Sequence, residues 1–443
     1  RDLHSFPTRR SSDLEPDKGP VRAFPFRHGE GEFIARGRVE DVTFDYQSGW
    51  LPATKLAADV EFRNQGMKVT AGTANVGELS VANISGDFAD FKAGLIAVKA
   101  QASGDLGSAL KLLQSSPIKD AFGEAFQKLR GQGETRSSVE LVLPLKQLAN
   151  RQVAVIAELK NTTVSAEGVA APITNLSGSL SVRQSLPDSA SMRGQWLGGL
   201  LDIAVQSESK NASLLTARGH ANAASLTALL HLPPVAKVTG ATDWRMTTRL
   251  EANQNPDAKA SEKVGQARKF TIESDLRGFG IELPHPLGKP ESAARLLRVE
   301  LEYDGDRELL GRGALGDVRA LMRMRQGEAG WAFDRGGVRA DGIAAALPGH
   351  RGLRIEGFLD RLVLDDWFAL RSESSGTARL SDILDAANLT VGTLQLYGYQ
   401  WPDVRGVLQA TASGWRVDVA GSNAQGCWPA SRSRRRRPSP NSS

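Results

Sequence analysis

The residues of this sequence that could do chemistry are its histidines, one pair of adjacent carboxylates and one cysteine. The six histidines stand at positions 4, 28, 220, 231, 285 and 350, and no two of them have the spacing of metal ligands. Asp365 and Asp366 are carboxylates of the kind that hydrolyse glycosides in pairs. Adjacent residues of a strand point to opposite faces, so we interpret this pair as a turn at a strand end. We therefore expect no metal site and no catalytic carboxylate pair.

Motifs for phosphate binding and nucleophilic catalysis are missing as well. The stretch GFGIELPHPLG from Gly278 contains glycines, but it has neither the lysine and hydroxyl residues nor the helix start of a phosphate-binding loop. No Gly-x-Ser-x-Gly nucleophile elbow occurs. The only cysteine, Cys427, lies in the last seventeen residues, so the rest of the chain has no disulfide framework, cysteine-based zinc site or thiol nucleophile. The sequence predicts a protein that is not an enzyme and that binds no cofactor.

Both ends of the sequence differ in composition from the rest. The stretch HSFPTRRSSDL, from His4 to Leu14, has no helical or strand periodicity and no apolar run of a secretory signal. It resembles the translation of a common short-read sequencing adapter, so we interpret residues 1–14 as a disordered assembly scar. The last residues, CWPASRSRRRRPSPNSS from Cys427, carry five arginines and no acid. We interpret residues 427–443 as a disordered, frameshifted tail, and the alternative is a basic tail that binds nucleic acid or an anionic membrane.

The basic character of the chain comes from these two ends. The formal net charge is +5, and it becomes −1 without the five tail arginines and the single net positive charge of residues 1–14. A nearly neutral body gives no electrostatic reason to expect a nucleic-acid partner. No stretch approaches eighteen consecutive apolar residues, so we expect no membrane-spanning segment within this sequence.

The elements that must position any functional side chains are strands. Alternation of apolar and polar residues, bounded by Gly, Pro, Asn and Asp, is the dominant pattern. It is clear in WRMTTRLEA and LRVELEYD and weaker in WRVDV. One apolar and one charged face per strand is typical of an antiparallel sheet that meets water on one side. The apolar members of these strands are Trp244, Met246, Leu250, Leu297, Val299, Leu301, Tyr303, Trp415, Val417 and Val419.

Two segments interrupt the strands with helical periodicity. In SPIKDAFGEAFQKL, apolar residues recur at helical spacing after a capping serine and a first-turn proline, which predicts an amphipathic helix. It either covers part of the sheet or acts as a lid, and its main apolar residues are Ile118, Phe122, Phe126 and Leu129. A shorter helix is predicted over residues 223–232, closed by Pro233 and Pro234.

These patterns divide the chain into segments. We predict a β segment over residues 15–102, a helical insertion over 103–132 and a β segment over 133–252 that contains the short helix. A polar loop or linker follows over 253–267, and a last β segment runs over 268–426. Loose internal echoes favour a repetitive β-rich array.

Several phrases in order resemble a known family. GWLPATKLAADVEFRNQGMKV, GQGETRSSVELVLPL, ASLTALLHLPPVAKVTGATDWRM and DLRGFGIELPHPLGKP resemble the middle of YhdP-like proteins of the AsmA family, over approximately residues 22–426. The resemblance implies a mainly β fold with a long, curved, bridge-like antiparallel β-sheet groove and a few short amphipathic helices.

The same resemblance implies a function. It implies a periplasmic segment of a protein anchored in the inner membrane of Gram-negative bacteria, which carries phospholipid toward the outer membrane and supports its barrier. The family's transmembrane anchor is expected to be missing from this fragment, and contact with the outer membrane is expected. The family has no catalytic residues to carry over. Phospholipid acyl chains would lie against the apolar strand residues named above.

One other hypothesis stays open at this point. A structural or adhesive periplasmic protein could pack two sheets face to face, so that the apolar faces meet and no groove exists. An enzyme of unrecognised type is a third, weaker interpretation. If a second sheet covered the side chains of Trp244 and Val299, the face-to-face packing would be favoured over a groove.

Overall fold

Alternating strand residues form hairpins along most of the chain. The structure, a computed structural model, describes residues 12–14, 20, 22, 24–45, 49–116, 127–144, 152–166, 171–184, 186–230, 237–251, 268–303, 307–327, 330–373, 383–411, 414–421 and 424–431. These residues form two compact units. Unit 1 comprises residues 1–219 and 249–263, and unit 2 comprises residues 220–248 and 264–443.

Unit 1 is an open sheet in which strands that follow one another in the sequence are also neighbours in space. Its pairings are antiparallel throughout the described residues. Its strands are β1 (Ser12–Leu14), β2 (Ile34–Phe44), β3 (Ala53–Arg63), β4 (Gly66–Val76), β5 (Leu79–Phe88), β6 (Leu95–Asp105), β7 (Leu129–Pro144), β8 (Gln152–Ala166), β9 (Ile173–Arg183), β10 (Leu186–Trp196), β11 (Gly199–Ser209) and β12 (Ala212–Asn222), whose last three residues belong to unit 2.

Unit 2 continues the pattern with shorter strands. Its strands are β13 (Lys237–Glu251, with its last three residues in unit 1), β14 (Arg268–Ser274), β15 (Phe279–Glu282), β16 (Leu297–Tyr303), β17 (Glu308–Leu315), β18 (Val318–Gly327), β19 (Gly330–Arg339), β20 (Gly352–Val363), β21 (Leu384–Leu396), β22 (Tyr399–Thr411), β23 (Gly414–Gly421) and β24 (Ala424–Ser431). The predicted mainly β, open and largely antiparallel architecture is confirmed.

Tight turns explain why sequence neighbours pair. Between β10 and β11, Leu197 and Gly198 have φ of 54° and 78°, and between β21 and β22, Tyr397 and Gly398 have φ of 50° and 77°. Positive φ at both central residues is the geometry of a type I′ turn, whose twist matches that of the flanking strands. A glycine as the second residue makes this conformation accessible at each turn.

Two pairings among the described strands are parallel rather than antiparallel. β20 is parallel to both of its neighbours, β19 and β21. Parallel neighbours need a crossover of a dozen or more residues rather than a hairpin. Residues 340–351 provide the first crossover, and the second contains a helix.

The described residues contain three helices, α1 (Leu106–Ser115), α2 (Ala223–Leu230) and α3 (Leu364–Glu373). The predicted helix at 223–232 is α2, and its last two predicted residues lie outside the described residues. Most of the predicted amphipathic helix also lies outside them, and Leu129 begins β7, where it pairs with Ala166. No helix in the described part of the chain is long and apolar enough to cross a bilayer.

The interpretation of Asp365 and Asp366 as a strand-end turn is wrong, because both lie in the first turn of α3. Carboxylates are favourable there because the amino-terminal end of a helix carries partial positive charge. Asp365 Oδ1 accepts a hydrogen bond from the Tyr397 backbone N at 3.0 Å and thereby ties α3 to the β21–β22 turn.

Two segments that we expected to be disordered contain strand residues. Ser12–Leu14 pairs with Ala35 to Gly37 of β2, and Cys427 to Ser431 belong to β24, which pairs with β23. Backbone N–H and C=O groups at a sheet edge accept any extended neighbour, whatever its side chains. Strand pairing here is therefore independent of the unusual composition of the two ends.

Candidate functional site

A row of apolar residues crosses unit 2 from strand to strand. Directly paired residues of neighbouring strands point to the same face of the sheet. Such pairs connect ten strands from β13 to β23, with β15 left out, and they give one residue from each strand. Every one of these residues is apolar or glycine. The row is Met246, Ile272, Val299, Gly313, Ala320, Val338, Ile355, Ala387, Leu408 and Val417.

The predicted contact residues lie on this same face, which we call the apolar face of unit 2. Leu301 and Tyr303 extend it along β16, and Trp415 and Val419 extend it along β23. Trp244 alternates in phase with Met246. Leu250 is also in phase on β13, although its position belongs to unit 1. The structure thus brings nine of the ten predicted residues together in unit 2.

Unit 1 has corresponding rows that the sequence analysis did not identify. They form the apolar face of unit 1, and they consist mainly of small residues. One row runs through Gly37, Val60, Val69, Gly86, Val98, Leu141 and Val153, and another through Ala102, Ser137, Ala157, Leu180, Ala190, Val205 and Leu215. The signal that could have revealed them is Gly, Ala or Val at every second position, as in Ala35, Gly37 and Val39.

The row of unit 2 is not sealed in the described structure. All ten residues of the unit 2 row are only partly buried, and so is Trp244. Met322, which pairs with Gly336 on the same face, is 37% exposed. Between two packed sheets, such positions would be shielded by the interdigitating side chains of the opposite sheet.

Glycines on these faces give a second measure of the open space. A Cβ atom at Gly37 or Gly406 would meet no described atom within 4 Å beyond its chain neighbours. At Gly313 it would meet only the Cβ of its cross-strand partner Ala320, at 3.7 Å. Neither Gly37 nor Gly406 has a positive φ, so the backbone does not require glycine there. Space above the apolar faces is therefore available to an occupant.

Charged side chains occupy the opposite face, which we call the charged face. In unit 1, Arg36 pairs with Glu61 at 2.9 Å, and in unit 2, Arg298 pairs with Glu300 at 2.9 Å. A hydrogen bond from Arg36 is the main cause that lowers the pKa of Glu61, and one from Arg298 does the same for the pKa of Glu300. Since ion pairs of this kind sit in water, each sheet has one wet face and one apolar face.

These ion pairs predict a loss of stability in acid. Because the pKa values of Glu61 and Glu300 are lower in the folded chain than in the unfolded one, the unfolded chain binds more protons as the pH falls. The stabilisation is complete above the unfolded values, near pH 4, and is lost below them. We expect the midpoint temperature of thermal unfolding to decrease as the pH is lowered from 5 to 3. We expect the E300Q variant to show a smaller decrease. A midpoint that rises on acidification would contradict the assignment.

A small core covers one edge of the apolar face in unit 2. It contains Ala223 of α2 with Leu276 and Phe279, and Leu297 and Leu315 pack against it. The predicted contact residue Leu297 is therefore covered by protein on this side. We call α2 together with residues 275–296 the cap.

Lys289 holds the cap together from inside. Its side chain is 7% exposed, and its Nζ donates hydrogen bonds to the carbonyl oxygens of Leu276 at 2.7 Å, Pro290 at 3.0 Å and Phe279. Burial lowers the pKa of this ammonium group. Three carbonyl acceptors match its three donors, so the group fixes the loop and has no donor left for a ligand.

Two of the described histidines each lie beside one carboxylate. His220 Nδ1 lies 2.9 Å from Asp243 Oδ1, and His350 Nε2 lies 2.8 Å from Asp385 Oδ2. Within the described ranges, no three His, Cys, Asp or Glu side chains are arranged to hold a metal ion. The most extensive candidate binding surfaces in the described residues are therefore the apolar faces of unit 1 and unit 2.

One known protein is similar in sequence to much of this chain. The sequence is similar to the intermembrane phospholipid transporter YhdP of Escherichia coli (strain K12), with 23% identity over 414 residues. The aligned region covers 91% of this chain and 31% of that protein, so the chain spans less than a third of the length of this relative. No solved structure matches the chain.

The family comparison covers nearly the whole chain. Residues 18–434 match the family described as YhdP protein. The resemblance of the quoted phrases to YhdP-like proteins is confirmed. The chain belongs to the YhdP protein family.

Proposed function

We propose that this chain is a non-enzymatic segment of a protein that carries phospholipid between membranes, with the acyl chains lying on its apolar faces. The observation that carries the proposal is the ten-strand row from Met246 to Val417, which is apolar throughout and only partly buried. The name of the similar protein from Escherichia coli, an intermembrane phospholipid transporter, supports it.

The energetics of an acyl chain suit such a surface. Each methylene group exposed to water costs about 0.8 kcal/mol, and contact with an apolar face avoids this cost. Neighbouring strands lie about 4.8 Å apart, so ten strands offer equivalent contacts over roughly 40 Å of sheet surface. Since consecutive positions are chemically alike, a lipid moves from one position to the next without being held in a deep free-energy minimum.

The proposal includes a location and a direction. We place the segment in the periplasm, as part of a protein anchored in the inner membrane, and we expect transport toward the outer membrane, where it supports the barrier. The family resemblance supports this placement, and the charged faces suit a segment surrounded by water. No nucleic acid or cofactor is part of the proposed activity.

Photocrosslinking at two adjacent residues tests the proposal. A photoreactive residue at Val299 stands on the apolar face, and the same residue at Arg298 stands on the charged face of the same strand. We expect crosslinks to phospholipid from position 299 in cells and none above background from position 298. Equal yields at both positions, or crosslinks from position 299 to protein alone, would favour the face-to-face sheets of a structural protein.

A further inference from the structure

The two edges of the apolar face in unit 2 differ in chemistry. One edge, the cap edge, passes through Ser274, Leu297, Leu315 and Val318. The other edge passes through Tyr303, Leu309, Met324 and Phe333, and we call it the aromatic edge. The two edges lie at opposite ends of the same strands, six residues apart on β16, or about 20 Å.

The cap makes its edge an apolar end. Leu297 and Leu315 pack against the cluster of Ala223, Leu276 and Phe279. The charged group inside the cap, Lys289, has its hydrogen bonds satisfied by the three backbone carbonyls described above. A molecule on the apolar face therefore meets apolar side chains at the cap edge. Lys289 has no hydrogen-bond donor left to offer it.

The aromatic edge has amphipathic side chains instead. The rings of Tyr303 and Trp331 lie 6.0 Å apart with planes at 81°, an edge-to-face contact. Trp331 is 43% exposed, and it pairs with Gln326. Tyr and Trp combine an apolar body with a polar group, which suits them to a boundary between hydrocarbon and water.

From this asymmetry, and resting on the proposed function, we infer that unit 2 orients the phospholipid that it carries. The phosphate and glycerol lie at the aromatic edge, beside Tyr303 and Trp331, and the acyl chains cross the apolar face so that their ends approach the cap. An acyl chain of sixteen carbons is about as long as the 20 Å between the two edges.

Two lipid probes test the orientation on the full chain. Phosphatidylglycerol with a diazirine on its headgroup, and phosphatidylglycerol with a diazirine at the end of one acyl chain, are each loaded and irradiated, and labelled peptides are mapped by mass spectrometry. We expect the headgroup probe to label the peptides around Tyr303 and Trp331, and the chain-end probe to label those around Leu297 and Leu315. The opposite pattern, or equal labelling of both edges by both probes, would overturn the orientation and leave the proposed function standing. Absence of labelling by either probe would contradict both.

Discussion

Replacing Gly406 by aspartate is expected to reduce the phospholipid that co-purifies with the chain about tenfold. Gly406 lies on the apolar face between its partners Leu389 and Val419, and a Cβ atom added there would meet no described atom within 4 Å beyond its chain neighbours. The variant therefore places a charge where acyl chains are proposed to lie, at a position with room for a side chain to begin. An unpaired carboxylate against hydrocarbon costs several kcal/mol, and about 1.4 kcal/mol of this cost is sufficient for a tenfold loss. Lipid extraction with quantification by mass spectrometry measures the effect.

Two control variants distinguish the effect of the added charge from the effect of side-chain size and from the effect of a charge on the other face. G406L adds an apolar side chain at the same position, and we expect it to retain most of the lipid. T390D adds a carboxylate to the charged face of β21, beside Arg405, and we expect no change. If G406L instead lowered the unfolding midpoint sharply, a second layer of protein would have to cover this position, and the open face would be contradicted.

Replacing Lys289 by methionine is expected to destabilise the cap by about 1–3 kcal/mol. Methionine has nearly the same length but donates no hydrogen bond, so the carbonyl groups of Leu276, Phe279 and Pro290 lose their shared donor. The carbonyl oxygens of Leu276 and Pro290 still accept backbone hydrogen bonds from Phe279 and Ala293, so the main loss is at Phe279. A buried polar group without a partner costs about 1–3 kcal/mol. Hydrogen exchange should show faster exchange in residues 275–296, together with a lower unfolding midpoint.

The matched control for this variant is K269M. Lys269 is on the charged face, where its half-exposed side chain contacts Glu300 at 3.1 Å. Exposed pairs of this kind contribute at most about 1 kcal/mol, so we expect little change in stability and none in exchange of the cap. Similar losses in both variants would contradict the internal role of Lys289.

Much of unit 2 could be predicted from local patterns because its strands carry large apolar residues. Val299, Leu301 and Tyr303 alternate with charged residues on β16, and this alternation fixed both the element and its apolar face. On β2, by contrast, the face is made by Ala35, Gly37 and Val39. Small residues give a weak periodic signal, so the apolar face of unit 1 became visible only through the register of neighbouring strands.

Other features depend on contacts that local patterns do not encode. The parallel placement of β20 follows from long crossovers, and alternation within a strand does not distinguish parallel from antiparallel neighbours. Lys289 would be expected in water from its charge, and only the fold of the cap supplies its three carbonyl partners. The sequence pattern therefore specifies strands and faces, while the closing of one edge by the cap is a tertiary effect.

We propose above all that the apolar faces hold phospholipid. The most direct measurement is the amount of phospholipid bound to the purified, folded chain, determined by solvent extraction, phosphate analysis and mass spectrometry, beside G406D prepared in the same way. We expect phospholipid with the parent chain and about a tenth as much with G406D. A folded parent chain without phospholipid, or equal amounts in the two proteins, would contradict it.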